Sequence, residues 1–184
     1  MRNLRAGVAG CGGIGSNVAV ALARSGIGSL TIVDRDRVER SNLNRQHYFE
    51  DDVGLRKVAA LRRTIARVST SVDVDAVVGE IDGASARRLF GGCDLLVEAL
   101  DSAEDKVMLL ESWAGAFPRT PVVACSGIAG YGKSDSIRVR RMRGMVVVGD
   151  FESKLSLGTT AARVGVVAML MANEAVRMLV DASP

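Results

Sequence analysis

The run Ala6-Gly-Val-Ala-Gly10-Cys-Gly12-Gly13-Ile14-Gly15-Ser16 constrains this chain more than any other part of it. Ala6–Gly10 reads as a short apolar strand. The glycines then turn the chain into a helix, Gly13–Arg24, with Ile14, Val18 and Leu22 on one face. In such a unit Gly10 permits the tight turn, Gly12 lets backbone approach a phosphate, and Gly15 lets the helix pack closely on the strand. Helix N-terminal amides favour negative charge. A second strand, Ser29–Asp34, ends on a carboxylate about 20 residues beyond the last glycine, where an acid accepts a ribose hydroxyl. These residues indicate a nucleotide site. On them alone, NAD is as good an occupant as ATP.

The remaining pattern extends the same architecture. Asp36–Val53 is polar and reads as a long irregular loop. Arg56–Val68 is an amphipathic helix with Val58, Leu61, Ile65 and Val68 inward. Val72–Ile81 reads as a strand and Ala84–Phe90 as a short helix. Asp94–Leu100 reads as an apolar strand buried on both faces. Ala103–Phe117 is a helix with a Val107, Leu110, Trp113 stripe, and Pro121–Ser126 a further buried strand. Ile137–Met142 and Met145–Gly149 flank Arg143-Gly144 as a β-hairpin. Asp150 to about Thr160 is a loop, and Ala161–Val180 a helix apolar on nearly every face, expected to be buried. The expected class is α/β: Rossmann-like, with a mostly parallel sheet covered by helices on both faces, a C-terminal hairpin and a buried final helix.

A chain of 184 residues that is 48% apolar supports one domain with a generous core. The expected unit is 1–184. Met1-Arg-Asn-Leu-Arg5 runs straight into the first strand without a signal-peptide pattern, and no stretch is long and uncharged enough to span a membrane. A cytoplasmic location is the expectation. Three cysteines, Cys11, Cys93 and Cys125, are too few and too scattered for a disulfide scaffold or a zinc site.

Ser41-Asn42-Leu43-Asn44-Arg45-Gln46, with Lys57 after it, moves the balance toward ATP. The cluster follows Asp34, in a loop at the carboxyl ends of the strands. It offers an amide (Asn42), a guanidinium (Arg45) and an ammonium (Lys57), and Arg and Lys are the side chains that grip phosphates. A hydride carrier leaves Arg45 and Lys57 without a task. Asp101 ends the apolar strand and opens into the same crevice, where one carboxylate plus phosphate oxygens and waters suffices for Mg2+. Asp101 could instead cap the helix after it, although Ser102 offers the same service.

Gly10-x-Gly-Gly-x-Gly15-Ser16, Ile-Val-Asp34-x-Asp36, Ser41-Asn-Leu-Asn-Arg45-Gln46, Val53-Gly54-x-x-Lys57 and Leu100-Asp101 together resemble the ThiF/MoeB family, the bacterial relatives of ubiquitin-activating enzymes. Ser126-Gly-Ile-Ala-Gly-Tyr-Gly132, Ile137-Arg-Val-Arg140 and Val164-Gly-Val resemble the short ThiF form associated with thiamine biosynthesis. The resemblance implies an adenylyltransferase. Such an enzyme uses ATP and Mg2+ to attach AMP to the C-terminal glycine carboxylate of a small ubiquitin-like sulfur carrier, and pyrophosphate leaves. It implies a Gly-Gly-ended carrier as partner, a homodimer, and no need of nucleic acid or membrane. By matching positions, Gly10, Gly12, Gly13, Gly15, Asp34, Asn42, Arg45 and Lys57 bind the nucleotide. Arg45, Lys57 and Asp101 are catalytic, with Asp101 on Mg2+.

The chain also departs from its relatives. It lacks their Cys-x-x-Cys pairs, so no zinc is expected. The loop Asp150–Thr160 lacks the cysteine that some use for a covalent intermediate, and Cys125 reads as a core residue. Only Arg2 and Arg5 stand where longer relatives carry an N-terminal arm. Two other functions remain open at this level. One is a tRNA-modifying dehydratase, which Ala99-Leu-Asp-Ser102 resembles locally. The other is a nucleotide-binding interaction module without turnover. Arg138, Arg140, Arg141 and Arg143 read as a charged sheet edge, and Met169, Met171 and Met178 as core filling or a dimer seam.

Overall fold

The computed structural model describes residues 1–182. Strands and helices alternate: β1 (Arg5–Ala9), α1 (Gly13–Arg24), β2 (Ser29–Asp34), α2 (Lys57–Val68), β3 (Asp73–Val78), α3 (Gly83–Phe90), β4 (Leu95–Glu98), α4 (Ala103–Ala116) and β5 (Val122–Cys125). The hairpin β6 (Arg138–Met142) and β7 (Met145–Gly149) follows, and α5 (Ala161–Asp181) closes the described chain. The strands form a 7-stranded sheet in the order β3-β2-β1-β4-β5-β7-β6. All neighbours run parallel except β6, which returns antiparallel along β7. The Rossmann-like α/β expectation is met.

Two apolar layers hold the sheet. On one face Ile14, Val18 and Leu22 of α1 pack with Val58, Leu61 and Ile65 of α2 and with Val164, Val167 and Met171 of α5. On the other, Phe90 of α3 meets Leu109 and Trp113 of α4. Aromatics of this size bury the most area per residue, and the Trp113 and Phe117 rings meet at a tilt of 46° with centroids 4.6 Å apart.

Four expectations need correction. In α4 the inward positions are Leu109 and Trp113, one turn apart, while Val107 is 54% exposed. α5 is not buried all round. Met171 is fully inside and Met178 partly so, but Val166, Met169 and Val180 face outward because the sheet covers only one side of the helix. The segment 36–53 is ordered by its own contacts. It contains 3-10 turns at Arg40–Asn42 and Glu50–Asp52, and Val38 exchanges backbone hydrogen bonds with Leu55 and Gly54 at 2.9 Å each. Finally, the strand at 94–100 is not wholly apolar inside: Glu98 is fully buried within it. Among the described residues, no helix is long and apolar enough to cross a membrane.

Candidate active site

The strand order reverses between β1 and β4. Loops leaving their carboxyl ends diverge there and open a crevice, the place where open α/β sheets bind ligands. The glycine turn forms its floor. Gly10 has a φ of +92°, and a side-chain carbon there would strike the Ala99 carbonyl. One at Gly15 would strike the Gly10 carbonyl, so helix and strand approach as closely as backbone allows. At Gly12 the same carbon would meet nothing nearer than Asp101 Oδ1 and Gln46 Nε2, each at 4.0 Å. Among the described residues no side chain caps the N-terminus of α1.

The crevice has two cavities that share Ala99, Leu100 and Asp101. The first, about 400 Å³, runs from Gly12 along Asp34, Arg35, Asp36 and Lys57 to Glu80, Asp82 and Asp105. The second, about 250 Å³, is lined by Gly13, Ile14, Arg45, Gln46, Cys125, Ile128, Thr159 and Val164. Asp101 stands at their junction, exposed. Among the described residues its carboxylate accepts no hydrogen bond and forms no ion pair. Ser102 is the N-cap of α4, its hydroxyl accepting the Asp105 N–H at 3.2 Å. The cap role open to Asp101 is therefore filled by its neighbour.

Asp34 braces the glycine turn. Its Oδ2 accepts the Cys11 N–H at 2.7 Å and its Oδ1 the Asp36 N–H at 2.7 Å, which fixes the glycine turn against β2. A carboxylate with two such bonds keeps lone pairs for a ribose hydroxyl. Lys57 is 5% exposed, and its ammonium donates to Asp36 Oδ2 at 2.7 Å. Burial pulls its pKa down, but the Asp36 hydrogen bond and the Asp34, Asp36 and Asp101 charges carry it above the ordinary lysine value. Lys57 is thus a firmly charged cation in an acid-rich cavity.

Arg45 lies in the other cavity. Its guanidinium donates to the Ser41 carbonyl at 3.0 Å and to Asn44 Oδ1 at 2.8 Å. Asn42 lines neither cavity. It is 9% exposed, and its Oδ1 accepts the Glu39 N–H at 3.1 Å, so it shapes the loop. The single set Asn42, Arg45, Lys57 expected from sequence is therefore divided: Lys57 on one side of Asp101, Arg45 on the other, Asn42 behind. Arg2 and Arg5 stand at the amino end of β1, opposite the crevice.

Sequence reasoning missed the residues that join the two motifs. Ser16 Oγ donates to the Gly12 carbonyl at 2.6 Å and accepts the His47 N–H at 3.0 Å. Asn17 Nδ2 donates to the Gly13 carbonyl at 2.6 Å and to the Arg45 carbonyl at 3.1 Å. Tyr48 OH donates to the Cys11 carbonyl at 2.8 Å. Two polar residues side by side in the otherwise apolar helix α1 were the available signal. Gln46, 9% exposed, points to unmet demand: its Oε1 is buried without a partner in the wall of the second cavity. All three cysteines are buried and unpaired; burial first of all raises the thiol of Cys125, to about 11.

A cation brought by a nucleotide fits this geometry better than one caged by protein. Among the described residues no group of three or more His, Cys, Asp or Glu is arranged to hold a metal. Asp101 supplies one free carboxylate, and Mg2+ needs only one or two when phosphate oxygens and waters complete its shell.

Comparison with known proteins agrees with the motifs. The chain matches the ThiF family over residues 1–184. It is 36% identical over 112 residues to the sulfur carrier protein ThiS adenylyltransferase of Bacillus subtilis, covering 59% of this chain and 33% of that protein. It is also 36% identical over 105 residues to the tRNA threonylcarbamoyladenosine dehydratase of Escherichia coli, covering 56% of this chain and 39% of that protein. The molybdopterin-synthase adenylyltransferase of Escherichia coli is 28% identical over 199 residues, 97% of this chain and 74% of that protein. The Escherichia coli dehydratase, solved with AMP, superimposes with a TM-score of 0.89 at 22% identity over 98% of this chain and 87% of that one, and it has also been solved with ATP. The first two matches span about a third of their relatives' length, so they speak for the shared core. The family match leaves no residue outside it, and the fold superimposes on that solved structure: this protein belongs to the ThiF family.

Proposed function

We propose that residues 1–184 form one ATP-binding adenylation domain, which activates the C-terminal glycine carboxylate of a small ubiquitin-like sulfur carrier and releases pyrophosphate. The observation that carries this reading is the unpaired Asp101 carboxylate at the junction of an acid-rich cavity and the Arg45 cavity. The acid-rich cavity suits the hydroxyls and amino group of adenosine. Asp34 accepts a ribose hydroxyl, Lys57 neutralises phosphate from one side, and Arg45 does so from the other. Asp101 would hold Mg2+, which supplies further neutralisation of the phosphates. The attacking carboxylate is ionised at neutral pH and needs no general base. The obstacle is bringing an anion up to a polyanion, so this chain contributes positioning and charge neutralisation.

The ThiS adenylyltransferase similarity supports a ThiS-like carrier ending in Gly-Gly and a place in thiamine thiazole biosynthesis. The outward Val166, Met169 and Val180 of α5 support a homodimer, and the expected place of action is the cytoplasm. A second reading is a tRNA dehydratase that spends the same chemistry on a carboxyl group of a modified base. Ala99-Leu-Asp-Ser102 and a net charge of +3 favour it. Pyrophosphate release with ATP, Mg2+ and each Gly-Gly-ended carrier of the same genome separates the two. Carrier-dependent release is the expected result. Release with no carrier, together with salt-sensitive tRNA binding, overturns the first reading in favour of the second.

A further inference from the structure

Glu98 is the last residue of β4, three positions before Asp101, and it is fully buried. It does not line the crevice, and nothing in the adenylation chemistry calls for it. Its partners face the turn that carries Asp101. Oε1 accepts the Leu100 N–H at 2.7 Å. Lys106, on the first turn of α4, donates to Oε1 at 2.8 Å and Oε2 at 2.6 Å. Lys106 also approaches Cys125 Sγ at 3.8 Å, in the wall of the second cavity. The carboxylate thus ties the end of the strand, the backbone just before Asp101 and the start of the next helix into one knot.

Stability alone does not account for it. A well-packed apolar pair in place of a buried ion pair is often as stable or more so. A charged knot beside a metal-binding carboxylate has an electrostatic use instead. Lys106 stands close to the crevice, and without an internal partner its ammonium would turn to the nearest free carboxylate. Asp101 is near enough that its charge bears on Glu98: burial pushes the Glu98 carboxyl up, Lys106 and the Leu100 amide pull it back, and Asp101 adds to the rise.

We propose that Glu98 is a positioning residue for Asp101: by accepting the Leu100 N–H and engaging the Lys106 ammonium, it leaves the Asp101 carboxylate fixed and unpaired for the cation that accompanies ATP. The inference rests on the ATP reading above. Outer-shell partners of this kind typically change metal affinity by about 10–100-fold when removed.

The test is Mn2+ binding followed by electron paramagnetic resonance, in the presence of an ATP analogue with a methylene bridge between its α and β phosphorus atoms. Binding of the analogue without metal and the melting temperature are measured in parallel. Glu98→Gln keeps an acceptor for Leu100 but removes the negative charge and puts an amide donor in place of the closer Lys106 partner, Oε2, so Lys106 is loosened and Mn2+ binding should weaken about tenfold. Metal-free analogue binding should stay within about threefold. Adding Lys106→Met removes the freed cation and should restore Mn2+ binding to within about threefold of wild type. A folded Glu98→Gln protein with wild-type Mn2+ affinity overturns the proposal, and so does a double variant as weak as the single one. If Glu98→Gln does not fold, Glu98→Asp replaces it. That carboxylate is one methylene short of both partners, and unchanged Mn2+ affinity there is equally fatal. A wild-type protein that holds no Mn2+ with the analogue would defeat the ATP reading itself, a result distinct from variants that match a competent wild type.

Discussion

The two halves of the crevice are built in different ways. The half that runs from Gly12 to Lys57 gathers the carboxyl ends of β1, β2, β3 and β4 and the start of α4. Two of its charged groups are held by the protein itself: Asp34 by two backbone amides, Lys57 by Asp36. The half around Arg45 draws on segments far apart in sequence, with Cys125 and Ile128 after β5 and Thr159 and Val164 at the start of α5. Among the described residues it leaves a buried amide oxygen of Gln46 unmatched, beside the apolar Ile14, Ile128 and Val164. Charged groups already held by their neighbours suit the part of a reaction that is always the same nucleotide. A buried amide oxygen beside Ile14, Ile128 and Val164 suits the acyl group that the proposed reaction activates. Only Asp101, with the two residues before it, belongs to both.

Removing the shared residue should have the largest effect. Asp101→Ala should lower Mg2+-dependent pyrophosphate release by a factor of about 10²–10³, the scale of losing one key electrostatic group. The melting temperature should hold, because Ser102 caps α4. Wild-type turnover in that variant would break the picture of a common junction.

The next pair of variants tests the difference between the halves. Lys57→Met removes a buried cation from a cluster of carboxylates. It should weaken ATP binding about tenfold and also destabilise the fold by roughly 1–2 kcal/mol, seen by calorimetry and denaturant unfolding. Arg45→Ala should weaken ATP binding by a similar factor of about ten with little change in melting temperature, since that guanidinium is tied mainly to its own loop. Equal stability losses in the two would erase the distinction between them.

The smallest effect is a pH dependence in the loop 150–160, whose Thr159 lines the second half. Asp150 begins the loop that leads into α5, and its carboxylate accepts N–H bonds from Glu152 at 2.9 Å and Ser153 at 2.8 Å and pairs with buried Arg163. Burial works to raise its pKa, but the Ser153, Glu152 and Arg163 bonds outweigh it and bring it to about 2. The folded value lies below the unfolded one, so the stabilisation is complete above about pH 4 and disappears as pH falls to about 2. Amide exchange across 150–160 should quicken in that window while 10–17 stays protected. Parallel loosening of both segments would contradict the assignment.

Much of this was legible in the sequence, and the gaps have physical causes. The glycine turn, Asp34, the ends of α1 and the hairpin could be read because each depends on local rules of backbone space, period and turn chemistry. The division of Arg45 from Lys57 could not, because it depends on how residues 36–56 fold back over α1 through Ser16, Asn17 and Tyr48. Glu98 was hidden inside an apolar run whose hydrophobicity decided the strand assignment. Its meaning appears only once Lys106 is brought across from the next helix. That Val166 and Met169 face outward was not legible, because periodicity alone cannot tell whether a second layer covers a helix.

The central claim is transfer of AMP to a carrier carboxylate, and ATP labelled in its α-phosphate tests it most directly. Incubated with Mg2+ and a Gly-Gly-ended carrier, the wild-type protein should place the label on the carrier's C-terminus, and Asp101→Ala should not. Label that never reaches any carrier, yet is released as AMP when tRNA is supplied, would contradict the account.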